Sequence, residues 1–314
     1  MKKILIDTDP GIDDAMAIHL AFAHPALKVV GLTTVFGNVH TKTATRNALR
    51  LVEMAGVDCP VAHGAEAPQA QPLHPPADFV HGAEGFGDVA AAEPSRTPDP
   101  RGAAEFIVDT INAYPGEIML CPVGPLTNIA AALRLDPKIR TKVAEVVVMG
   151  GAVDTAGNVT KFAEANIWND PHAAAEVFAA DWPIMMIGLD VTEKSRCSPE
   201  DFAALAESSP DIGGFLNEAV QYYFEFHRKK GVMDGCFMHD PSAVLAVDDP
   251  SLFAGRAIPI RVVTEGPEIG RTVADPDADT RPVQICLGVD SAEVRSRFLT
   301  ITGRADACRD ARKG

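Results

Sequence analysis

The amino-acid sequence predicts an α/β protein in which a mostly parallel central sheet is covered by helices on both faces. Short apolar runs rich in Val, Ile and Leu alternate along the chain with stretches of helical periodicity. Most of these runs are continuous rather than alternating, which is typical of strands that are buried on both faces. No internal repeat or charged linker divides the 314 residues. We therefore expect one domain spanning residues 1–314, with a Rossmann-like, doubly wound architecture.

The predicted strands and helices follow one another in a regular order. Each predicted strand is a short apolar run, and each predicted helix is a longer stretch with apolar residues at helical spacing. In chain order they are strand 4–6, helix 14–23, strand 29–34, helix 41–55, helix 103–112, strand 118–121, helix 128–135, strand 146–149, helix 171–180, and strands 184–189, 258–263 and 283–287. The first helix begins at acidic residues, which suit the positive end of a helix dipole.

Two segments lack this alternation. Residues 64–100 carry many prolines and glycines without a clear period, and loops of this length inside a compact domain are often functional. Residues 213–235 contain a helical stretch with aromatic and basic side chains that runs into glycines. Because ligands of an open parallel sheet bind beyond the carboxyl ends of its strands, we expect active-site loops near residues 64–100 and 222–238.

The charge balance argues against nucleic acid and membranes as partners. The formal net charge is -15 and the isoelectric point is about 5.0. An acidic surface lacks the positive field that attracts phosphates or anionic lipid, and no apolar run approaches the ~20 residues of a spanning helix. A cationic ligand, a metal ion or a neutral polar molecule suits this balance better, although acidity by itself indicates only a solvated surface.

The cysteines and the N-terminal segment predict a cytoplasmic protein. The six cysteines are scattered with no CxxC spacing, which is typical of reduced thiols. Asp7 ends the first apolar run before the run reaches the length of a signal peptide's hydrophobic stretch.

Four aspartates crowd the first turn of the chain, in the segment DTDPGIDD at residues 7–14. Asp7 should end the first strand, and Asp9 should lie in the turn. Asp13 and Asp14 should begin the next helix. A helix N-terminus stabilises one or two carboxylates by about 0.3 to 1 kcal/mol each, which leaves a convergence of four unexplained. A hard cation that takes several oxygen ligands would explain it, and the spacing alone fits either Ca²⁺ or Mg²⁺.

Two more motifs lie where polar groups could meet a ligand. In CFMHDPSAV at residues 236–244, His239 and Asp240 precede a proline that begins another helical run. The same pattern is also explained without a ligand, if Asp240 caps the helix and His239 is an ordinary surface residue. In LCPVGPLTN at residues 120–128, a strand enters a turn where its last carbonyl groups could point at a ligand, although the same pattern is common in strand-to-helix connections.

A glycine-flanked loop carries compact hydrogen-bonding groups. In GNVTKFAEAN at residues 157–166, Asn158, Glu164 and Asn166 are suited to the hydroxyl groups of a sugar, and Asn38 lies in a similar position just past a strand. Polar loop residues are also commonly just solvated. These four residues are therefore no more than candidates for a sugar site.

Eight segments of the chain match one family, in order. They are DTDPGIDD at 7–14, FGN at 36–38, HGAEG at 81–85, VGPLTNIA at 123–130, MGGAV at 149–153, GNVTKFAEAN at 157–166, MHDPSAV at 238–244 and IGRTVAD at 269–275. This ordered set, which spans nearly the whole chain, resembles the inosine-uridine preferring nucleoside hydrolases. The resemblance implies hydrolysis of the N-glycosidic bond of ribonucleosides to ribose and free base, in nucleoside catabolism or salvage, with a bound Ca²⁺ ion.

The matched motifs also imply a role for each candidate residue. The metal ligands would be the side chains of Asp9, Asp14 and Asp240 and the backbone carbonyl of Val123. The ribose would be held by Asp13, Asn38, Asn158, Glu164 and Asn166. The leaving base would lie near His81 and His239. Outside the matched motifs, the helix at 222–231 offers Tyr223, His227 and Arg228 for recognition of the base, although aromatic residues at helical spacing more often lie in a core. Asp7 would support the acidic turn from behind.

These residues suit the cleavage of a ribosyl C–N bond. Positive charge develops on the sugar as the bond breaks, so surrounding carboxylate and amide oxygens stabilise the transition state. Ca²⁺ lowers the pKa of its bound water and orients the water towards C1′, and Asp9 is the catalytic base expected to take the proton. His239 is the candidate acid for the departing base, or else it only orients the base.

The ribose loop departs from the family pattern at one position. Family members commonly carry a large aromatic residue between the glutamate and the asparagine, whereas Glu164 and Asn166 here flank Ala165. The change removes a hydrophobic wall, so the resemblance carries no preference for a particular nucleobase. It does imply a homodimer or homotetramer.

Two other functions stay open from the sequence. DTDPG also resembles the DxDx[TV] opening of haloacid dehalogenase-like phosphatases, but Gly11 stands at the fifth position and no later Gly-Asp-xxx-Asp pair follows. The second alternative is a non-catalytic, Ca²⁺-dependent riboside-binding protein, although every residue expected to be necessary for turnover is present.

Overall fold

The computed structural model describes residues 1–313 as an alternation of strands and helices. The strands are β1 (Lys2–Thr8), β2 (Leu27–Thr34), β3 (Val61–His63), β4 (Ile118–Pro122), β5 (Glu145–Met149), β6 (Ile184–Ile187), β7 (Arg196–Cys197), β8 (Cys236–Phe237), β9 (Phe253–Ile258), β10 (Ile260–Val262), β11 (Thr272–Ala274) and β12 (Val283–Val289). The helices are α1 (Ile12–Ala23), α2 (Thr41–Ala55), α3 (Asp78–His81), α4 (Ala103–Ala113), α5 (Thr127–Leu135), α6 (Ala165–Asn169), α7 (Pro171–Ala179), α8 (Leu189–Thr192), α9 (Pro199–Ser208), α10 (Ile212–Lys229), α11 (His239–Asp248), α12 (Ser291–Thr302) and α13 (Ala305–Lys313).

Eight of the strands form one sheet, in the order β3-β2-β1-β4-β5-β6-β12-β9. Its neighbouring strands are parallel except for β12 and β9, which are antiparallel. The sheet confirms the predicted single α/β domain with a mostly parallel centre. The strand order reverses at β1, which has β2 on one side and β4 on the other, so a crevice is expected beyond the carboxyl ends of β1 and β4.

Helices cover both faces of this sheet, as predicted. Along β1 the side chains of Ile4 and Ile6 belong to one apolar cluster and that of Leu5 to the other, and all three are fully buried. Helices α1, α2, α10 and α11 contribute to the first cluster, and α4, α5 and α7 contribute to the second. Burial on both sides explains why the strand is a continuous apolar run. Among residues 1–313, no helix combines the length and the apolar character needed to cross a membrane.

The predicted strand at residues 258–263 is wrong. Pro259 interrupts it, because a proline has no N–H group for the ladder of hydrogen bonds. Strand β9 ends at Ile258 on the edge of the main sheet, and β10 begins at Ile260 in a separate pair with β11. The other six predicted strands correspond to β1, β2, β4, β5, β6 and β12 with slightly shifted ends, and the structure adds helices that the pattern did not predict, including α9, α12 and α13.

The two segments that were expected to be loops differ from each other. Residues 64–100 lie almost entirely outside regular structure, apart from the single turn of α3. Residues 222–229 instead complete α10, which limits the second loop to residues 230–235 before β8. The helix extends this far because its aromatic residues, among them Tyr223 and Phe224, are buried against the core.

Candidate active site

Buried carboxylates from distant parts of the chain meet at the reversal of the strand order. The chain leaves β1 at Thr8 and enters α1 at Ile12. Asp7 ends the strand, Asp9 lies in the turn, and Asp13 and Asp14 begin the helix, so four acidic side chains lie at the carboxyl end of the sheet. One carboxylate oxygen each of Asp13, Asp14 and Asp240 lies within 4.8 Å of the others, and all three residues are buried. The first two belong to α1, and Asp240 belongs to the first turn of α11.

Asp14 is held rigidly by its neighbours in the turn. Its Oδ1 accepts hydrogen bonds from the Thr8 hydroxyl and from the Asp9 amide, the latter at 3.2 Å. Its Oδ2 accepts from the Gly11 amide at 2.9 Å and from Asn38 Nδ2 at 3.0 Å. The carboxylate of Asp14 is therefore oriented before any ligand binds.

Asp9 has one restrained oxygen and one without a partner. Its Oδ2 accepts a 2.6 Å hydrogen bond from the Asn38 amide, whereas its Oδ1 is buried and makes no hydrogen bond. Two glycines allow this packing, since a Cβ at Gly37 would lie 2.0 Å from Asp9 Oδ2 and a Cβ at Gly124 would lie 2.6 Å from Asp9 Oδ1. The FGN and VGP segments thus need glycine because a carboxylate fills the space beside them.

Asp7 lies below the turn, as a supporting residue would. Its Oδ1 accepts hydrogen bonds from Thr33 Oγ1 at 2.5 Å and from Asn128 Nδ2 at 2.8 Å. Burial raises the pKa of the Asp7 carboxyl to about 7, against the opposing effect of these two hydrogen bonds.

The electrostatics of the cluster favour a cation. Burial raises the pKa of Asp9, Asp14 and Asp240, and the negative charges of neighbouring carboxylates raise all three further. Burial also raises the pKa of Asp13 to about 6. Among residues 1–313, no Lys or Arg side chain pairs with these four carboxylates, and the nearest basic group is His81, whose Nδ1 lies 3.9 Å from Asp13 Oδ1 and whose ring is neutral at pH 7.

The donor atoms of the cluster fit a hard metal ion. Within the described residues 1–313, Asp9 Oδ1 and Asp13 Oδ1 are buried without a hydrogen-bond partner. An unpaired buried carboxylate oxygen is costly unless a cation or a hydrogen-bond donor compensates it. Every candidate ligand atom is an oxygen, which is the donor that Ca²⁺ and Mg²⁺ prefer.

The ribose-loop residues approach the same crevice from the ends of β4 and β5. Asn166 Nδ2 donates to the carbonyl of Val123 at 2.9 Å and to that of Met149 at 3.2 Å. The carboxylate of Glu164 accepts three backbone N–H bonds, from Gly151, Asn166 and Ile167, and so caps α6. Burial raises the pKa of the Glu164 carboxyl against these bonds.

Asn158 lies apart from the other candidates. Its side chain is exposed, and its Oδ1 accepts a 3.0 Å hydrogen bond from the Ala165 amide. Its contacts join it to the ribose loop and do not bring it to the carboxylates, so its assignment to the ribose stays a prediction.

His81 covers the acidic turn from α3. The Ile12 amide donates to His81 Nδ1 at 3.2 Å, which leaves the proton of the neutral ring on Nε2. Burial lowers the pKa of His81 to about 4. The ring stacks on Tyr223, with centroids 5.6 Å apart, and the Tyr223 hydroxyl donates a long 3.5 Å hydrogen bond to Asp13 Oδ2.

His239 and His227 both contact the ring of Phe237, with centroid distances of 5.6 and 4.9 Å. The His239 Nδ1 pairs with Thr192 Oγ1 at 2.8 Å, and burial lowers the pKa of the ring to about 3. His227 Nδ1 donates to the Tyr223 carbonyl at 2.9 Å, and burial lowers its pKa to about 4. The aromatic part of α10 therefore packs in the core, and its Tyr223 also reaches Asp13 of the acidic cluster. A contact of this helix with the leaving base stays a prediction.

Two hydroxyls of the site were not predicted. Thr8 lies inside the DTDPG segment, and its proximity in sequence to Asp14 was a usable signal. Thr192 lies 47 positions from His239, and no local pattern connects them.

Comparison with known proteins places the chain in one group. The family model for inosine-uridine preferring nucleoside hydrolases matches residues 4–296. Uridine nucleosidase 1 of Arabidopsis thaliana is 42% identical over 275 residues, which cover 87% of this chain and 82% of the relative. The solved structure of a plant nucleoside hydrolase superposes with a TM-score of 0.93 at 37% identity, covering 96% of this chain and 99% of the other. The structure of the purine-preferring ribonucleoside hydrolase from Gardnerella vaginalis also superposes with a TM-score of 0.93. It is 33% identical, and the match covers 98% of this chain and 100% of the other.

The match extends along nearly all of the chain and includes the segments that build the acidic crevice. It does not favour the phosphatase or the non-catalytic alternative. The chain therefore belongs to the inosine-uridine preferring nucleoside hydrolase family, and it is an enzyme that hydrolyses nucleosides.

Proposed function

We propose that this enzyme cleaves the N-glycosidic bond of ribonucleosides, releasing ribose and the free base, with Ca²⁺ as its cofactor. The observation that carries the proposal is the convergence of Asp13, Asp14 and Asp240, with Asp9 in electrostatic contact, where the strand order reverses. Buried carboxylates of this kind suit both a bound cation and a transition state with positive charge on the sugar.

The proposed ligands of the ion are the carboxylates of Asp9, Asp14 and Asp240 and the carbonyl of Val123. All four residues are buried and offer oxygen atoms. Asp13 belongs to the compact carboxylate group as well, and we assign it to the ribose because its Oδ1 is unpartnered and its Oδ2 meets Tyr223. The ion, when bound, supplies a lowered pKa and a fixed position to a water molecule.

The proposed ribose site surrounds these oxygens. Its members are Asp13, Asn38, Asn158, Glu164 and Asn166. Asn38 already donates to Asp14, and Asn166 donates to the carbonyl of Val123, so sugar hydroxyls bound here would meet the same acceptors. As the C–N bond breaks, nearby carboxylates stabilise the positive charge more strongly than they stabilise the neutral substrate, and this difference accelerates the reaction.

Asp9 is the proposed catalytic base. In the metal-free cluster, burial, followed by the charge of Asp14, raises its pKa well above the ordinary value, and a bound cation would oppose that shift. The case for Asp9 as the base therefore rests on the positions of its two oxygens. The Asn38 amide fixes one oxygen, and the other makes no hydrogen bond and is available to an attacking water.

His239 and His81 are proposed to meet the leaving base. Burial keeps both rings neutral at pH 7, so each would act as an N–H donor rather than as an imidazolium. The Nε2 atoms of both rings lack a partner among residues 1–313 and are still reached by solvent. Tyr223 and His227 line the same side, on α10.

A ribose-release assay tests the proposal directly. Uridine, cytidine, inosine and guanosine are incubated with the enzyme after chelation, and again after addition of Ca²⁺ or Mg²⁺. We expect reducing sugar to appear with at least one nucleoside, to be lost on chelation and to return with Ca²⁺. The relatives are named for uridine in one case and for purines in another, so both base classes belong in the assay. Activity on none of them, or full activity after exhaustive chelation, would contradict the proposal.

The resemblance to the family also implies a homodimer or homotetramer. Light scattering coupled to size-exclusion chromatography measures this, with a mass near 33.3 kDa indicating a monomer instead.

A further inference from the structure

The imidazole of His239 has one nitrogen that is held and one that is open. Its Nδ1 forms a 2.8 Å hydrogen bond with Thr192 Oγ1, and both residues are buried. Its Nε2 has no hydrogen-bond partner among residues 1–313 and is not sealed from solvent, which agrees with the 8% of the residue that stays exposed. Among residues 1–313, Thr192 is therefore the one hydrogen-bond partner that orients this ring, which also packs edge-on against Phe237.

Thr192 belongs to helix α8, which several hydrogen bonds hold in place. The carboxylate of Asp190, in the same short helix α8, accepts two backbone hydrogen bonds from the loop after β5, at 2.7 and 2.9 Å. The Leu189 amide donates to the Gly151 carbonyl at 2.9 Å. The Gly151 amide in turn donates to Glu164, also at 2.9 Å. Helix α8 is thus tied to the loop that builds the proposed ribose site, so it places the hydroxyl relative to the substrate.

We propose that Thr192 is a positioning residue of this enzyme, whose hydroxyl holds the ring of His239 so that Nε2 faces the departing base. The inference rests on the proposed place of His239 beside that base. A hydroxyl can donate to a bare ring nitrogen or accept from a ring N–H, because it rotates, so Thr192 supports either tautomer in one orientation. Without the hydroxyl, Nδ1 is left buried and unpaired, and the ring loses its preferred direction.

Two substitutions separate the hydroxyl from the rest of the side chain. Thr192→Val keeps the branched shape and removes the hydroxyl, whereas Thr192→Ser keeps the hydroxyl and removes the methyl group. Thr192→Ala replaces the valine variant if the latter does not fold. Each is assayed on uridine and inosine, and on 4-nitrophenyl β-D-ribofuranoside, whose leaving group needs little help to depart.

The proposal predicts a selective loss. Partners that orient a functional imidazole are typically worth about 10- to 100-fold, so kcat of Thr192→Val on nucleosides should fall by that factor. On the nitrophenyl riboside, kcat of Thr192→Val should change by less than about threefold. For Thr192→Ser, kcat should stay within about threefold of the parent on all substrates, since the hydroxyl remains to orient the ring. Equal losses on both substrate types, no loss on nucleosides, or a serine variant as slow as the valine variant would overturn the role of Thr192.

Thr302→Val is the matched control. Thr302 is also fully buried, but its hydroxyl has no hydrogen-bond partner, and it lies in α12 outside the proposed site. Its substitution should leave both substrate types unaffected. A parent enzyme that releases no ribose from any nucleoside would overturn the proposed function, whereas an active parent with an unaltered Thr192→Val variant would overturn this inference alone.

Discussion

The two oxygens of Asp9 have different surroundings, and this asymmetry gives the residue its expected role. Oδ2 is fixed by the Asn38 amide, while Oδ1 is buried and unpartnered. Its neighbour Asp14 is fixed at both oxygens. At the residue scale, Asp14 is therefore the rigid carboxylate of the acidic turn, and Asp9 is the one that we expect to exchange a proton.

Asp9→Asn should separate binding from turnover. The amide keeps the size of the side chain but cannot take a proton, so we expect kcat to fall by about 100-fold or more, within the range of general acid-base effects. KM should change much less when it is measured at saturating Ca²⁺, which offsets the weaker ligation by an amide, because the ribose contacts remain. Steady-state kinetics with the preferred nucleoside measure both constants, and Asp58→Asn, at a fully exposed aspartate, is the control. A variant that turns over at the parent rate would show that another group is the base.

His239→Ala should slow natural nucleosides more than activated substrates. The proposed N–H donor assists the departure of a poor leaving group, so we expect about a 100-fold or larger loss in kcat on inosine or uridine. The loss on 4-nitrophenyl β-D-ribofuranoside should be small. If both substrate types lose the same factor, His239 does not assist the leaving group.

At the scale of the element, strand β2 and helix α4 are in unusually close contact. Gly31 of β2 lies directly under the ring of Phe106, and an added Cβ would lie 2.4 Å from the ring. The glycine therefore sets the distance at which α4 packs on this face of the sheet.

Gly31→Ala should destabilise the fold by overpacking. We expect a loss of about 1 to 3 kcal/mol in the free energy of unfolding, because the added Cβ would overlap the buried ring of Phe106 and force it to move. Urea denaturation of the parent and the variant measures the difference. Phe106→Leu in the same chain should recover part of the loss, and the non-additivity of the two changes reports their contact. Gly214→Ala, in helix α10 with open space around it, should instead be neutral or slightly stabilising. Equal effects at the two glycines would contradict the packing argument.

Helix α1 carries a buried histidine that the site does not use. His19 is fully buried, neither ring nitrogen has a hydrogen-bond partner, and burial lowers its pKa from 6.5 to about 3. Since the folded-state pKa is depressed, the unfolded chain binds the proton first as the pH falls. The contribution of His19 to stability is thus complete above pH 6.5 and is lost between pH 6.5 and about 3.

His19→Leu should make the free energy of unfolding less dependent on pH in this range. At pH 5 the parent should have lost roughly 2 kcal/mol from this residue, by the linkage between pKa and stability. Urea denaturation of chelated protein at pH 7 and pH 5 gives the difference for each form. The leucine variant should lose less stability than the parent over this interval. The same loss in both forms would mean that His19 is not the source.

At the scale of the whole molecule, the site joins segments that are far apart along the chain. The turn after β1, the first turn of α1, the end of β4, the start of α6 and helix α11 each supply a candidate ligand or ribose contact. Ligand binding at this point should therefore stabilise the whole fold rather than one element.

Added Ca²⁺ should raise the unfolding midpoint of chelated protein. At a concentration about 100 times the dissociation constant, a ligand that binds only the folded state adds about 2.7 kcal/mol. Differential scanning fluorimetry follows the midpoint. Asp240→Asn should lose most of the response while remaining folded, because an amide is a weaker ligand than a carboxylate. A Ca²⁺ response equal to the parent's in this variant would place the ion elsewhere.

The sequence by itself determined the architecture and the family. Strands and helices are local features, since their signals are apolar runs and helical periods within a few residues. The acidic turn was equally visible, because its four aspartates lie within eight positions of one another. The prediction failed at Pro259, where an apolar run was read through a residue that cannot complete a ladder.

Only the tertiary structure decided which distant groups touch. It brought Asp240 to the acidic turn, directed the Ile12 amide at His81, and paired Thr192 with His239. It also buried one face of α10, including Tyr223 and Phe224, and left Glu218, Gln221 and Glu225 exposed. The aromatic residues alone did not distinguish a core from a binding surface. The physical reason is that a contact between distant segments depends on how the sheet and its helices pack, and no local period of the sequence reports that packing.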